Sequence, residues 1–128
     1  MHSNAQTARS AYDAFLSGDM ETMGGLMSDD IVWHAPGNNA LSGTYSGKEE
    51  VFGLFAKIGE MADGPMQMDI HDVLASDEHA VALLTATVSR GGNSADLRAV
   101  HIMHVADGQI SEFWNFQEDQ VATDAFWA

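Results

Sequence analysis

The chain has no cysteine, which excludes disulfides, thiolate metal sites and a cysteine nucleophile. It is poor in positive charge: Lys and Arg total 5 against 19 Asp and Glu, so 5 − 19 gives a formal charge of −14. A field of that sign repels phosphate backbones and anionic lipid, so neither nucleic acid nor a membrane is an expected partner. A neutral, cationic or apolar ligand suits it better than a polyanion. Apolar runs of membrane-spanning length are missing too. The opening residues, Met1 to Gln6, lack the basic and apolar segments of a secretory leader, and a cytoplasmic protein is expected. Proline occurs only twice, at Pro36 and Pro65, and both positions read as breaks.

What remains is globular in composition, with 45% hydrophobic and 19% charged residues over 128 positions. That length supports one core, and residues 1–128 are read as one domain. Ala8, Ala11, Tyr12, Phe15 and Leu16 share one helical face, ended by Gly18. Asp19 is placed to cap a second short helix carrying Met20, Met23, Leu26 and Met27 inward. Ile31 to Ala35 predicts a strand stopped by Pro36. A third helix follows Gly47, with Val51, Leu54, Phe55 and Ile58 on one face, and ends at Gly64-Pro65.

From Met66 the hydrophobic period changes to two. Residues 66–75, 79–90, 97–106 and 109–117 predict four consecutive strands separated by turn residues. The tail from Asp119 predicts a last helical turn packing Val121, Phe126 and Trp127. This order implies an α+β fold: a curved, mostly antiparallel sheet wrapped on three N-terminal helices as a cone-shaped α+β barrel.

The segments Gly18-Asp19, Asp29 to Gly37, Gly43 to Gly47, Asp107 to Ile110 and Phe113 to Phe116, with Asp119 after them, resemble the SnoaL-like, polyketide-cyclase-like proteins. These belong to the nuclear transport factor 2-like superfamily, with the ketosteroid isomerases and limonene epoxide hydrolases. The resemblance spans nearly the whole chain and rests mostly on structural motifs. One such fold hosts many chemistries and many non-catalytic binders. Carried over by position, the isomerases' carboxylate base falls at Ala35. Their oxyanion-hole tyrosine falls at Ala11, one residue from Tyr12, and their protonated aspartate falls on His101. An aspartate of the epoxide hydrolases falls near Asn115. Neither machinery is carried over intact, and no cofactor is implied.

Strand parity puts Leu97, Ala99, His101, Met103 and Val105 on one face, and Ser111, Phe113, Asn115 and Gln117 on one face of the next strand. The family register turns both sets inside the cone, with Trp33 and Ala35. His101 is thus the candidate acid, base or hydrogen-bond donor, and Asn115 its candidate partner in catalysis. The alternative is a histidine that only satisfies a core carbonyl. Tyr12, Phe15, Trp33, Met103, Phe113 and Gln117 are candidate ligand contacts, and His34 is added in case the alignment slips by one residue. Asp72 shares a face with Met68, Ile70 and Leu74 and is either a pocket acid or a sheet-end carboxylate. His101 and His104 lie three apart on a strand, on opposite faces, so no metal site is expected.

The remaining face, with Arg98, Val100, Ile102, His104, Ile110, Glu112, Trp114 and Phe116, is too apolar for solvent. A second copy packed sheet to sheet is expected to cover it, making a homodimer with Arg98 and Glu112 as a possible ion pair. Two functions follow. One is a cofactor-independent cyclase, isomerase or hydrolase-like enzyme acting on a small apolar carbonyl- or hydroxyl-bearing molecule through His101. The other is a protein that only binds a hydrophobic small molecule, or an interaction module with a filled cavity.

Overall fold

Small residues on one face let α1 (Ser3–Ser17) lie close to the sheet, with Ala5, Ala8 and Ala11 all buried. The computed structural model describes residues 2–128. His2 caps α1 through an Nδ1 that accepts from the Asn4 N–H at 3.1 Å, and Gly18 ends it in the left-handed region at φ 74°. Asp19 caps α2 (Met20–Gly25) by accepting from the Thr22 N–H. This helix is shorter than its sequence pattern: Leu26 closes it, and Met27 instead begins β1 (Met27–Ala35), fully buried. β2 (Gly43–Ser46) was not expected, because four residues with one aromatic carry no readable alternation. α3 (Lys48–Met61) follows, burying Val51 and Leu54 over β1 and β2.

The four long strands are β3 (Gln67–Ala75), β4 (His79–Arg90), β5 (Asn93–Ala106) and β6 (Gln109–Gln117). β5 starts earlier than its alternation implied, because Gly91 and Gly92, both at positive φ, make a two-residue turn that pairs Arg90 with Asn93. The sheet runs β2-β1-β6-β5-β4-β3, antiparallel except where β1 lies parallel to β6. It curves around the helices without closing, with β2 and β3 as its edges. The α+β cone is as expected.

Two bulges correct the assignment of faces. His71 has no partner where Ile70 pairs with Leu84 and Asp72 with Leu83. The extra residue turns Val73 and Ala75 to the core and leaves Asp72 and Leu74 exposed. In β6 the extra residue is Ser111, between Ile110 opposite Val105 and Glu112 opposite His104. Ile110 is therefore in the core at 1% exposure, not on the outer face.

α4 (Gln120–Phe126) crosses one end of the cone. It buries Thr123 and Trp127, whereas Val121, expected to pack, is 81% exposed. Asp124 ties it to the loop after β1: its Oδ1 accepts from Asn39 Nδ2 at 2.9 Å, Gln120 Nε2 at 2.9 Å and the Asn38 N–H at 3.0 Å. Those bonds hold its carboxyl below the usual range. Gly37, at φ 81°, makes the approach possible, since a Cβ there would collide with Asp124 and Gln120. Arg90 holds the other side, donating to the carbonyls of Phe126 at 2.8 Å and Ala128 at 2.7 Å. Arg90→Met, which keeps the stem and removes the donors, is expected to cost about 1.5 kcal/mol. Hydrogen exchange should then speed up in α4 while β5 and β6 stay protected; equal speeding throughout would mean that Arg90 acts on the whole fold.

Candidate functional site

The inner face of the cone does not fill completely. A cavity of about 140 Å³ remains between α1, α3 and the sheet, capped at one end by Thr123 and Trp127. Its wall is mainly apolar, and its polar members are Tyr12, Asn39, His101, Asn115, Gln117 and Thr123. Among the described residues, no carboxylate, lysine or arginine lines it.

Its deepest polar feature joins helix to sheet. The Tyr12 hydroxyl lies 2.7 Å from Nδ1 of His101, and both residues are buried. Burial pushes the imidazole down to about 3 and the phenol well above its ordinary value, so the pair is neutral at pH 7. If the phenol donates to Nδ1, the imidazole proton sits on Nε2, which has no hydrogen-bond partner among the described residues. If Nδ1 donates, the phenol proton is free instead. Either arrangement leaves one unused donor and no charge.

Asn115 stands opposite His101 on β6. Its Oδ1 accepts from Gln117 Nε2 at 2.8 Å, and Gln117 Oε1 accepts from the Thr123 hydroxyl at 3.0 Å. This relay orients the Asn115 amide with its NH₂ left over, a second neutral donor beside the first. Aromatic rings continue the wall. Phe113 meets His101 edge-on at 4.7 Å and stacks on Trp33 at 3.6 Å; Phe55 packs edge-on against Trp33 at 5.2 Å and against Phe15 at 5.0 Å.

Of the sequence candidates, Tyr12, Phe15, Trp33, His101, Met103, Phe113, Asn115 and Gln117 line the one cavity. Tyr12, not Ala11, reaches His101. Asp72 does not join them: the His71 bulge leaves it exposed, where it accepts from the Val73 N–H. His34 also lies elsewhere, on the outer face, its Nε2 2.6 Å from Glu112 and its ring stacked on Trp114. Glu112 is thereby engaged, and Arg98 pairs with Glu118 at 3.2 Å rather than with Glu112. Sequence reasoning missed Thr123 and Asn39, since both enter through the α4 closure rather than through a strand pattern.

The SnoaL-like domain family matches residues 8–113, and the chain belongs to it. An uncharacterised protein of Mycobacterium tuberculosis is 31% identical over 121 residues, covering 94% of this chain and 92% of that one. Bal32a, from a soil-derived mobile gene cassette, superposes with a TM-score of 0.93 at 31% identity over 98% of this chain and 97% of its own. A Xanthomonas campestris protein of unknown function with a cystatin-like fold gives 0.91 at 31% identity, covering 100% and 99%. More distantly, the fold is shared with IdmH of Streptomyces antibioticus, a candidate polyketide cyclase, at 0.78 and 21% identity over 97% and 99% of the chains. An LEH-like epoxide hydrolase of M. tuberculosis shares it at 0.75 and 16%, over 97% and 86%.

The buried imidazole sets a pH dependence. Unfolded, it takes a proton near its ordinary value of 6.5; folded, only near 3. Between those values the unfolded state binds more protons, so stability is full above pH 6.5 and declines as pH falls toward 3. Urea unfolding is expected to show a loss of about 1 kcal/mol per pH unit from 6.5 to 4.5 in the wild type relative to His101→Gln. Parallel pH profiles for the two proteins would mean that His101 is not buried neutral.

Proposed function

We propose that the cone cavity of this SnoaL-like protein binds a small, neutral, apolar molecule bearing one carbonyl or hydroxyl oxygen. In this reading the spare donor of the Tyr12–His101 pair and the NH₂ of Asn115 hold that oxygen, while Phe15, Trp33, Met103 and Phe113 contact the apolar body. The observation that carries it is the uncharged 2.7 Å pair standing in a wall without ionised groups. A buried donor is costly to leave unpaired, so it discriminates for an oxygen-bearing guest. A cavity of this size takes a ring about as large as benzene, which fits a space of roughly 150 Å³.

Donors fixed on a carbonyl polarise it, and this supports reactions driven by orientation and polarisation, of which ring closure is one. Proton abstraction from carbon is not supported: His101, pushed down to about 3, is a weak base, and Ala35 stands where the family's base would fall. Non-catalytic binding is the second reading, and the same lack of a base favours it. Acetophenone is expected to bind about fivefold more tightly than ethylbenzene, the worth of one net hydrogen bond of about 1 kcal/mol. The double variant Tyr12→Phe/His101→Leu, which removes both partners and so spares the fold, should bring the two ligands close to parity by titration calorimetry. The ketone's methyl protons should exchange in D₂O no faster than in buffer. Equal binding of the two ligands by the wild type would sink the oxygen-anchor reading, and accelerated exchange would restore an enzymatic base.

We also propose that the outer sheet face pairs with a second copy of the chain. Val100, Ile102, Trp114 and the 52% exposed Phe116 form an apolar band there, flanked by the Arg98–Glu118 ion pair and the His34–Glu112 hydrogen bond. On a molecule of charge −14, a face with an apolar band at its centre is where two copies repel least. Sedimentation equilibrium at micromolar concentration should give a dimer, and Ile102→Asp a folded monomer; a monomeric wild type would refute the interface.

A further inference from the structure

A second hollow opens beside the cavity, a cleft of about 860 Å³ bounded by the end of α1, the start of α2 and the outer part of α3. Phe15, Phe55, Ile58 and Met66 line both spaces, so the partition between them includes the side chains of two phenylalanines, an isoleucine and a methionine. The rest of the cleft is largely apolar, with Leu16, Met20 and Phe52 among its walls, and among the described residues Glu21 is the only charged one lining it.

We propose that this cleft is the second compartment of the same ligand site and holds an unbranched apolar tail, whose oxygen-bearing head sits against Tyr12 and His101. The inference rests on the oxygen-anchor reading and adds the ligand's shape: a small head and an alkyl chain, neutral or cationic at its far end. The four shared side chains are the partition that the chain crosses. The cavity alone holds only a benzene-sized group, and the cleft, open to solvent along Leu16, Ala56 and Gly59, gives adjoining apolar surface for a longer molecule. Glu21 and the acidic surface disfavour a carboxylate or phosphate at the tail's end.

Gly59 offers a handle on the cleft. It lies inside α3 and lines the cleft, and a Cβ placed there would meet no atom within 4 Å, so a side chain can be added without displacing a neighbour.

The test is a series of straight-chain methyl ketones, 2-butanone to 2-decanone, titrated calorimetrically into the full chain. Affinity is expected to rise about fourfold per methylene across the whole series, as burial of each CH₂ implies. In Gly59→Leu, which fills the cleft without entering the cavity, short ketones should bind as in the wild type and the longest should lose tenfold or more. Gly59→Ala, which stiffens the helix while adding little bulk, should behave as the wild type. A series that flattens once the cavity is full, or a long-chain gain that survives Gly59→Leu, overturns the cleft and leaves the oxygen anchor standing. Failure of every ketone to bind overturns both.

Discussion

One buried hydrogen bond, Tyr12 to His101, fixes how the helical layer sits on the sheet. It runs from α1 to the middle of β5, and its two polar groups have been taken out of water. An unpaired phenol or imidazole in that position would cost more than the bond itself contributes. The pairing therefore ties α1 to β5 at one buried point, beside the packing of Ala8 and Ala11 on the sheet. The aromatic sequence Phe113, Trp33, Phe55 and Phe15 then follows as packing around a fixed point. The chemistry is set by the same constraint: groups held neutral by burial can donate and polarise, and they are poor at taking a proton from carbon.

Much of the frame was legible in the chain because it obeys simple periods. Ala8, Ala11, Tyr12 and Phe15 announce α1, and the long alternating runs announce β3 to β6. Inward placement of His101, Met103, Phe113 and Asn115 followed from parity together with the family register. The misplacements have local causes. Asp72 and Ile110 were assigned to the wrong faces because a bulge at His71 and another at Ser111 shift parity by one, and neither residue type advertises a bulge. β2 is too short to show a pattern. Partners brought together by tertiary closure, such as Thr123 with Gln117 and Asp124 with Asn39, leave no periodic trace.

The closure of the cone is polar where its core is apolar. Asp124, Arg90 and Asn39 bind backbone and amide groups at the end where α4 crosses, so that end is fixed by directional bonds. Phe15 and Phe55, by contrast, meet edge-on at 5.0 Å, and Ile58 and Met66 pack against the cluster that holds Trp127, all through contacts without direction.

The two bulges also mark where this architecture tolerates a change of length. Removing His71 would leave Ile70 followed directly by Asp72, opposite the adjacent pair Leu84 and Leu83, with every later side chain still facing as it does now. Loss of Ser111 would do the same for Ile110 and Glu112 opposite Val105 and His104. A deletion in the middle of any other inner-facing stretch would swap lining for surface along the remainder of its strand. In descendants of this chain, single-residue gaps in β3 to β6 should therefore accumulate at these two positions, and a gap in the middle of β4 or β5 would signal a cavity rebuilt for a different guest.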